Sequence, residues 1–428
     1  MRFGVAKECI TPPFPMKLAC TGSEDDLFEA IHDDIYVRCL FLGDGALLIS
    51  YDLLFHDRSL NDALADYAEQ TYGISKSAVC VSYTHAHTAP AVKGYNPMHQ
   101  DDRYEALLVE KGKRCIDEAM ASLFEGYAEY ASTEVDLNLS RRGYVNGRYI
   151  NAPNFHYDHD RELFVLCVRD AGHKVRSVMV NYACHPVFYP AMRTLSGEFP
   201  ARTCQLLDEK YPDAVALFFQ SAGGDVRPAA TVTTRTDGSY KWGRTNFAAI
   251  DRFSAMLADH VGNLLSADMK KVSLPMAAAA FSVELPIDGV PLRVFEEERE
   301  RYQEDRWHAN KTNAEWIVNG GYESLPDSLI LHCQLLRFGN LYMAAMGGEP
   351  CYGIKKAVAE VLAGADLCFI GYTDACAYIV DDKVLAEGGY EAECHLEYGL
   401  KGPFRPGITQ RITEGFEKAS QALQEEDI

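Results

Sequence analysis

Short apolar runs recur along the chain, each closed by a polar cluster: Cys39 to Tyr51, Ala78 to Tyr83, Leu163 to Val168, Val175 to Tyr182, Ala214 to Phe219, Leu329 to Phe338, Leu341 to Met346 and Leu367 to Gly371. Their length and their content of Val, Ile, Phe and Tyr predict buried strands rather than helices. Between them lie helical patterns with a charged face, at Arg103 to Phe124, Ala201 to Lys210, Asn246 to Met269 and Tyr352 to Ala363. Strands alternating with helices predict an α/β fold in which helices cover stacked mixed sheets. No linker rich in Pro, Gly or Ser divides the chain, so a single domain over residues 1–428 is expected, and no repeat of solenoid period is found. Phe295 to Val318 breaks the alternation. Its dense charge predicts a solvated helix in an insertion at about residues 290–325, either a surface face or oligomer contact, or a lid over the site.

The candidate chemistry sits where the runs end. Val81-Ser82-Tyr83 exits into Thr84-His85-Ala86-His87-Thr88-Ala89-Pro90, and the run through Tyr182 exits into Ala183-Cys184-His185-Pro186. Met346 is followed by Gly347-Gly348-Glu349-Pro350, and Gly371 by a stretch that reaches Tyr378. Four strand ends thus deliver polar side chains of metal-ligand type beside Gly or Pro, as open sheets do when they hold a site beyond the carboxyl ends of their strands. Two imidazoles and a carboxylate are the usual protein ligands of a catalytic zinc that keeps a position open. In an extended strand, residues i and i+2 lie about 6 to 7 Å apart, so one of His85 and His87 is expected to be a ligand and the other a neighbour unless the chain bends. The pattern alone does not select Tyr378 over the tyrosines around it.

Composition narrows the partners. With 41 basic and 62 acidic residues the formal charge is −21, which repels nucleic acid and anionic membrane surfaces, so neither is expected as a partner. The 13 cysteines are scattered without a CxxC pair, which indicates neither a disulfide framework nor a zinc–thiolate knuckle. No signal-peptide pattern opens the chain and no segment of about 18 apolar residues follows. A cytoplasmic protein acting on a small-molecule substrate is expected, with a homo-oligomer left open.

These segments resemble the neutral, non-lysosomal ceramidases. Thr84 to Pro90 is similar to the THTHSGP segment of that family, Asn181 to Pro186 to its NxxxHP, and Gln220-Ser221-Ala222-Gly223-Gly224-Asp225-Val226-Arg227-Pro228 to its QSNxGDVSP. Gly347-Gly348-Glu349 resembles its PGE, Gly371 to Tyr378 its GLxNxYxxY, and Gly4 to Pro13 its opening GxGxxDITPP. The matches keep their order from about residue 4 to about residue 395, and the 12-residue spacing of Tyr378 and Tyr390 resembles the family's tyrosine pair. The resemblance implies a neutral-ceramidase-like catalytic domain with one Zn2+ held by His85, His185, Glu349 and Tyr378. It also implies that His87 and Tyr390 face the scissile group, for proton transfer and oxyanion stabilisation. Arg141 would line the site, with Arg142 beside it as the alternative.

One departure matters most. Where the family carries its hydrolytic serine, this chain has Arg227, whose guanidinium stays protonated and cannot be the nucleophile. Ser221 could replace the serine only with a large loop shift. A water activated by zinc is the expected nucleophile, and Arg227 either binds a carboxylate, phosphate or polyhydroxyl group of the substrate or pairs with Asp225 or another acid. Gly223 and Gly224, with Asp225, are further substrate-binding candidates, the glycines as backbone donors to an oxyanion or as a plain turn. Asn154 to Asp160 holds two histidines and two aspartates, a second metal site or a solvated loop, and Glu198 either supports a histidine ligand or faces a helix N-terminus. The resulting expectation is a zinc hydrolase of amide-type bonds in a soluble polar substrate. The alternatives are a metal-binding relative without turnover, or a zinc hydrolase of a glycosidic, lactone or phosphate ester bond.

Overall fold

The structure, a computed structural model, describes residues 1–20, 27–43, 45–94, 101–301, 308–374 and 377–425; residues 302–307 of the charged segment and residues 375–376 of the stretch before Tyr378 lie outside it. The apolar runs fold as strands: Val79–Tyr83, Glu162–Asp170, Val175–Tyr182, Val215–Gln220, Ser328–Phe338, Leu341–Met346 and Asp366–Ile370. The run Cys39 to Tyr51 is two strands, Tyr36–Leu42 and Ala46–Tyr51, because Gly43 turns the chain at φ 58°. Helices form at Asp102–Ala121, Glu198–Lys210, Phe247–Leu265 and Tyr352–Val361, as their patterns predict, and also at Arg58–Tyr72 and Ile408–Glu425.

A repeat invisible in the residues is plain in the connectivity. Arg2–Cys9, Tyr36–Leu42 and Ala46–Tyr51 pair antiparallel in succession, a helix crosses over, and Val79–Tyr83 joins in parallel. Phe124–Glu134, Glu162–Asp170, Val175–Tyr182 and Val215–Gln220 repeat this order with the crossover helix Glu198–Lys210. Met276–Pro286, Ser328–Phe338, Leu341–Met346 and Asp366–Ile370 repeat it again with Tyr352–Val361. Parallel neighbours need such a crossover, and a helix there covers the sheet's outer face.

The first two units join edge to edge by a short antiparallel pairing of Arg2 and Phe3 with Glu125 and Phe124, which makes one nine-stranded sheet; the third unit is a four-stranded sheet. All three turn their inner faces onto one apolar cluster that includes Leu48 and Cys80, Met179 and Leu217, and Met343 and Cys368. Three buried side chains bolt the units together in pairs. Ser50 Oγ donates to Phe218 O (2.5 Å), Ser82 Oγ to Gly371 O (3.0 Å) and Asn181 Nδ2 to Phe369 O (2.9 Å).

The described parts of the charged segment are helical, as expected, at Leu292–Arg301 and His308–Trp316, and they do more than face solvent. Phe295, Ala314, Ile317 and Leu325 form a small core with Leu396. Asn313 Nδ2 donates to Leu396 O and Glu397 O, both at 3.0 Å, so the insertion grips the segment that carries Glu397 and Tyr398. No helix among the described residues is long and apolar enough to cross a membrane, and the cysteines among them are all free thiols.

The C-terminal helix Ile408–Glu425 seals the outer face of the third unit with Ile408, Ile412, Phe416, Ala419 and Leu423 on one side. Phe416 meets Phe281 edge-on at 5.1 Å between ring centroids. Phe416→Ala should lower the unfolding free energy by about 3 to 5 kcal/mol in urea titration, and a change under about 1 kcal/mol would show that this helix does not fold with the sheet.

Candidate metal centre

The strand Val79–Tyr83 ends at once in a bend, since His85 takes the left-handed φ of 64°, a strained conformation for a side chain with a Cβ. Its Nδ1 donates to Leu54 O (3.0 Å), at the exit of the neighbouring strand. His185, three residues beyond Tyr182, donates from Nδ1 to Gly223 O (2.6 Å). In the neutral rings these bonds fix the tautomer and turn the Nε2 lone pairs outward. The short strand Glu349–Pro350 pairs in parallel with Tyr378–Ile379, which sets Glu349 directly beside Tyr378.

The ligand-type atoms gather at one point. His85 Nε2 and His185 Nε2 are 3.2 Å apart, Glu349 Oε2 stands 3.0 Å from His185 Nε2 and 3.3 Å from His85 Nε2, and Tyr378 Oη is 3.3 Å from His185 Nε2. A tetrahedral ion with bonds of about 2.0 to 2.1 Å keeps its ligand atoms roughly 3.3 Å apart, so these separations are the edges of such a polyhedron. Glu349 Oε2 is buried and makes no hydrogen bond, while Oε1 accepts from the Tyr398 hydroxyl at 2.6 Å. Two facing lone pairs and an orphaned carboxylate oxygen fit a cation between them. Burial holds the His185 imidazole down to a pKa of about 3, so that ring is unprotonated at neutral pH.

His87 does not stay apart, as a straight strand would require. The bend at His85 brings His87 Nε2 to 3.3 Å from His85 Nε2, and the ligand nitrogens of His85, His87 and His185 all lie within 4.8 Å of one another. His87 Nδ1 rests 2.9 Å from the Tyr189 hydroxyl, and burial lowers its pKa well below the usual histidine value. The cluster opens on a cavity of about 100 Å³ lined by His87, Arg141, Arg227, Tyr378, Tyr390 and Tyr398, among others.

Adjacent residues of a strand point to opposite faces, and this separates the two arginines of Asn138–Val145. Arg141 faces the cavity, its Cζ 4.7 Å and 5.1 Å from the ring centroids of Tyr378 and Tyr390. Arg142 turns away to Glu387 and the Gly388 carbonyl, and Glu391 accepts from both, from Arg141 Nε at 2.8 Å and Arg142 Nη1 at 2.7 Å. Tyr390 lines the cavity with its hydroxyl donated to Glu397 Oε2 (2.9 Å).

Other expectations need correction. The amides of Gly223 and Gly224 already donate to Ser221 O (2.9 Å) and Pro350 O (2.8 Å), so neither is an open oxyanion donor. Their place is structural: a Cβ on Gly224 would lie 2.6 Å from Glu349 O. Asp225 does not pair with Arg227; its Oδ1 accepts from Tyr352 N (3.2 Å), and it borders a different cleft. Ser221 donates to Asp160 Oδ2 (2.7 Å) beside the buried Lys355, away from the cavity, and is not placed as a nucleophile. That ion pair also claims Asp160, while Asp158 pairs with Lys356 and His159 with Tyr157 O, so the Asn154 to Asp160 loop holds no second metal cluster among the described residues. Glu198 supports backbone rather than an imidazole, Oε2 accepting from Phe188 N at 2.9 Å.

Sequence reasoning missed Gln220, Tyr189, Glu391 and Tyr398. Gln220 alone left a signal, as the polar residue ending an apolar run; Tyr189 and Tyr398 lie outside strands and helices, and Glu391 sits in the helix Tyr390–Glu393, too short for a periodicity to mark it.

No family model matches the chain, and no curated protein does. Among solved structures, the chain is similar to the neutral ceramidase from Pseudomonas aeruginosa, at 17% identity and a TM-score of 0.74 over 99% of this chain and 74% of that one. A ceramidase complexed with C2 is alike at 16% identity and a TM-score of 0.74, covering 99% of this chain and 75% of that one. The fold is neutral-ceramidase-like.

Glu349→Ala should abolish binding of a divalent metal, read by plasma mass spectrometry after dialysis, whereas Gln220→Leu, which removes the amide that donates to Thr84 O and Cys184 O beneath the two imidazoles, should weaken it by about 10- to 100-fold; full retention in Glu349→Ala would remove this centre. A second expectation concerns pH. Burial raises the Glu198 carboxyl to a pKa of about 8 against 4.5 when free, so between those values the unfolded chain binds fewer protons and stability falls as pH rises. Glu198→Gln should therefore lose roughly 3 to 5 kcal/mol less than the wild type between pH 4.5 and 8 in urea titrations, and equal slopes would refute it.

Proposed function

We propose that this protein is a zinc-dependent hydrolase that cleaves an amide-type bond in a small, soluble, polar substrate. The observation that carries the reading is the meeting of His85, His185, Glu349 and Tyr378 at tetrahedral-edge distances beside a cavity lined by no serine or threonine, where burial keeps the Cys20 thiol protonated. The neutral-ceramidase-like fold supports the amide bond as the class of bond cleaved.

Zinc held there would supply Lewis acidity toward a carbonyl and a water acidified to near neutrality. The chain's own residues do the rest. His87 can take a proton at Nε2 while Tyr189 keeps the ring oriented through Nδ1, and can return it to the departing nitrogen. Tyr390 can offer its proton to a developing oxyanion by exchanging Glu397 for the substrate as acceptor. Arg141, held by Glu391 and flanked by the Tyr378 and Tyr390 rings, orients the substrate. Water adds across the C–N bond, its oxygen to the acyl carbon and a proton to the amine.

Protein purified without chelator should hold about one zinc per chain and hydrolyse members of a panel of short N-acyl compounds. His87→Ala should keep that zinc and lose about 10²- to 10⁴-fold in kcat. Turnover of esters or phosphates with no amide cleaved would overturn the bond assignment, and an unimpaired His87→Ala enzyme would overturn the proton role.

A further inference from the structure

Arg227 is a partly buried cation that meets no acid among the described residues. Arg38 meets Asp52, Arg141 and Arg142 share Glu391, and Lys355 meets Asp160. Arg227, on the short strand Val226–Pro228 opposite Leu139, makes no ion pair among the described residues. Its Cζ lies 5.0 Å from the Trp242 ring centroid, Nη2 donates to Val187 O at a long 3.4 Å, and Nε is buried with no hydrogen-bond partner. Withdrawing a guanidinium from water without a counter-charge is costly, and its planar donor fork matches a carboxylate.

Two further observations point the same way. Arg141 lines the same cavity, and its Nη2 is likewise buried without a partner, although Nε is committed to Glu391. The cavity, at about 100 Å³, is far below the roughly 300 to 1,000 Å³ of sites for drug-sized ligands, so a long acyl chain finds no room inside it. Unpartnered donors from two directions in so small a space define a ligand that is short and anionic.

We propose that Arg227, with Arg141, binds a carboxylate of the substrate, and that the substrate is a short N-acyl compound carrying that carboxylate close to the scissile amide. The proposal rests on the hydrolase reading of the same cavity. Arg227 thus gives the position of the family's serine a different task, selecting the substrate by charge where a nucleophile would have attacked it.

Calorimetric titration of the metal-free protein tests this without turnover, using N-acetylglycine and its neutral counterpart N-acetylglycinamide, with zinc uptake measured separately. N-acetylglycine should bind at least about tenfold tighter than the amide, roughly the worth of one charge-assisted hydrogen bond. Arg227→Met should erase that preference while keeping the wild-type zinc content, and Arg227→Lys should keep part of it. Should Arg227→Met fail to fold, the wild type and Arg227→Lys decide the matter. Equal affinities in the wild type, an unchanged preference in Arg227→Met, or no binding of either compound at millimolar concentration would overturn the proposal. Absence of zinc uptake would instead sink the hydrolase reading, with the charge preference still measurable on the metal-free protein.

Discussion

The side chain of Gln220 is fully buried and spends its whole amide on the ends of neighbouring strands. Nε2 donates to Thr84 O (3.0 Å) and Cys184 O (2.8 Å), and Oε1 accepts from Cys184 N (3.2 Å). Its backbone carbonyl accepts from Gly371 N (2.9 Å), so one residue touches an exit of each of the three units. His85 and His185 are the next residues after Thr84 and Cys184. An imidazole can be aimed to a few tenths of an ångström only if the backbone beneath it is fixed, and here a fully buried amide with its hydrogen bonds satisfied fixes it.

The rest of the site inherits that rigidity. Glu391 neutralises Arg141 and Arg142 together, which lets one strand carry two adjacent buried guanidiniums with opposite tasks. Tyr398 holds one oxygen of Glu349 so that the other is free to point at the imidazoles, and Asn313 in turn holds the backbone just before Tyr398. Left-handed backbone recurs around the site, at His85, Tyr189 and Tyr372, and the bolted strand exits on either side of His85 hold its bend in place.

How much of this was legible follows from what burial does to a sequence. Strands covered on both faces, such as Val175–Tyr182 and Leu341–Met346, read as unbroken apolar runs. Met276–Pro286 was missed because much of it remains partly exposed and alanine-rich, and Arg2–Cys9 because its buried and exposed positions mix. The four ligand-type residues could be picked out as strand exits, with the family resemblance choosing Tyr378. What the residues could not convey was backbone: the bend that swings His87 inward, the engaged amides of Gly223 and Gly224, and the outward turn of Asp225. The threefold connectivity escaped notice because it repeats pairing and crossover rather than side chains.

The strand pairings also place the connection between the first and second strand of every unit at the same rim, since Cys9 pairs with Tyr36, Glu134 with Glu162 and Pro286 with Ser328. Those connections supply Cys20 in the first unit, Arg141 and Asn151 in the second, and the helical brace on Glu397 in the third. The four ligand-type residues come from the other exits. Cavity-lining and ligand-type residues therefore come largely from separate stretches of the chain, tied to each other where the third connection reaches Glu349 through Asn313 and Tyr398. A protein engineer seeking a new selectivity would find the address largely divided from the machine.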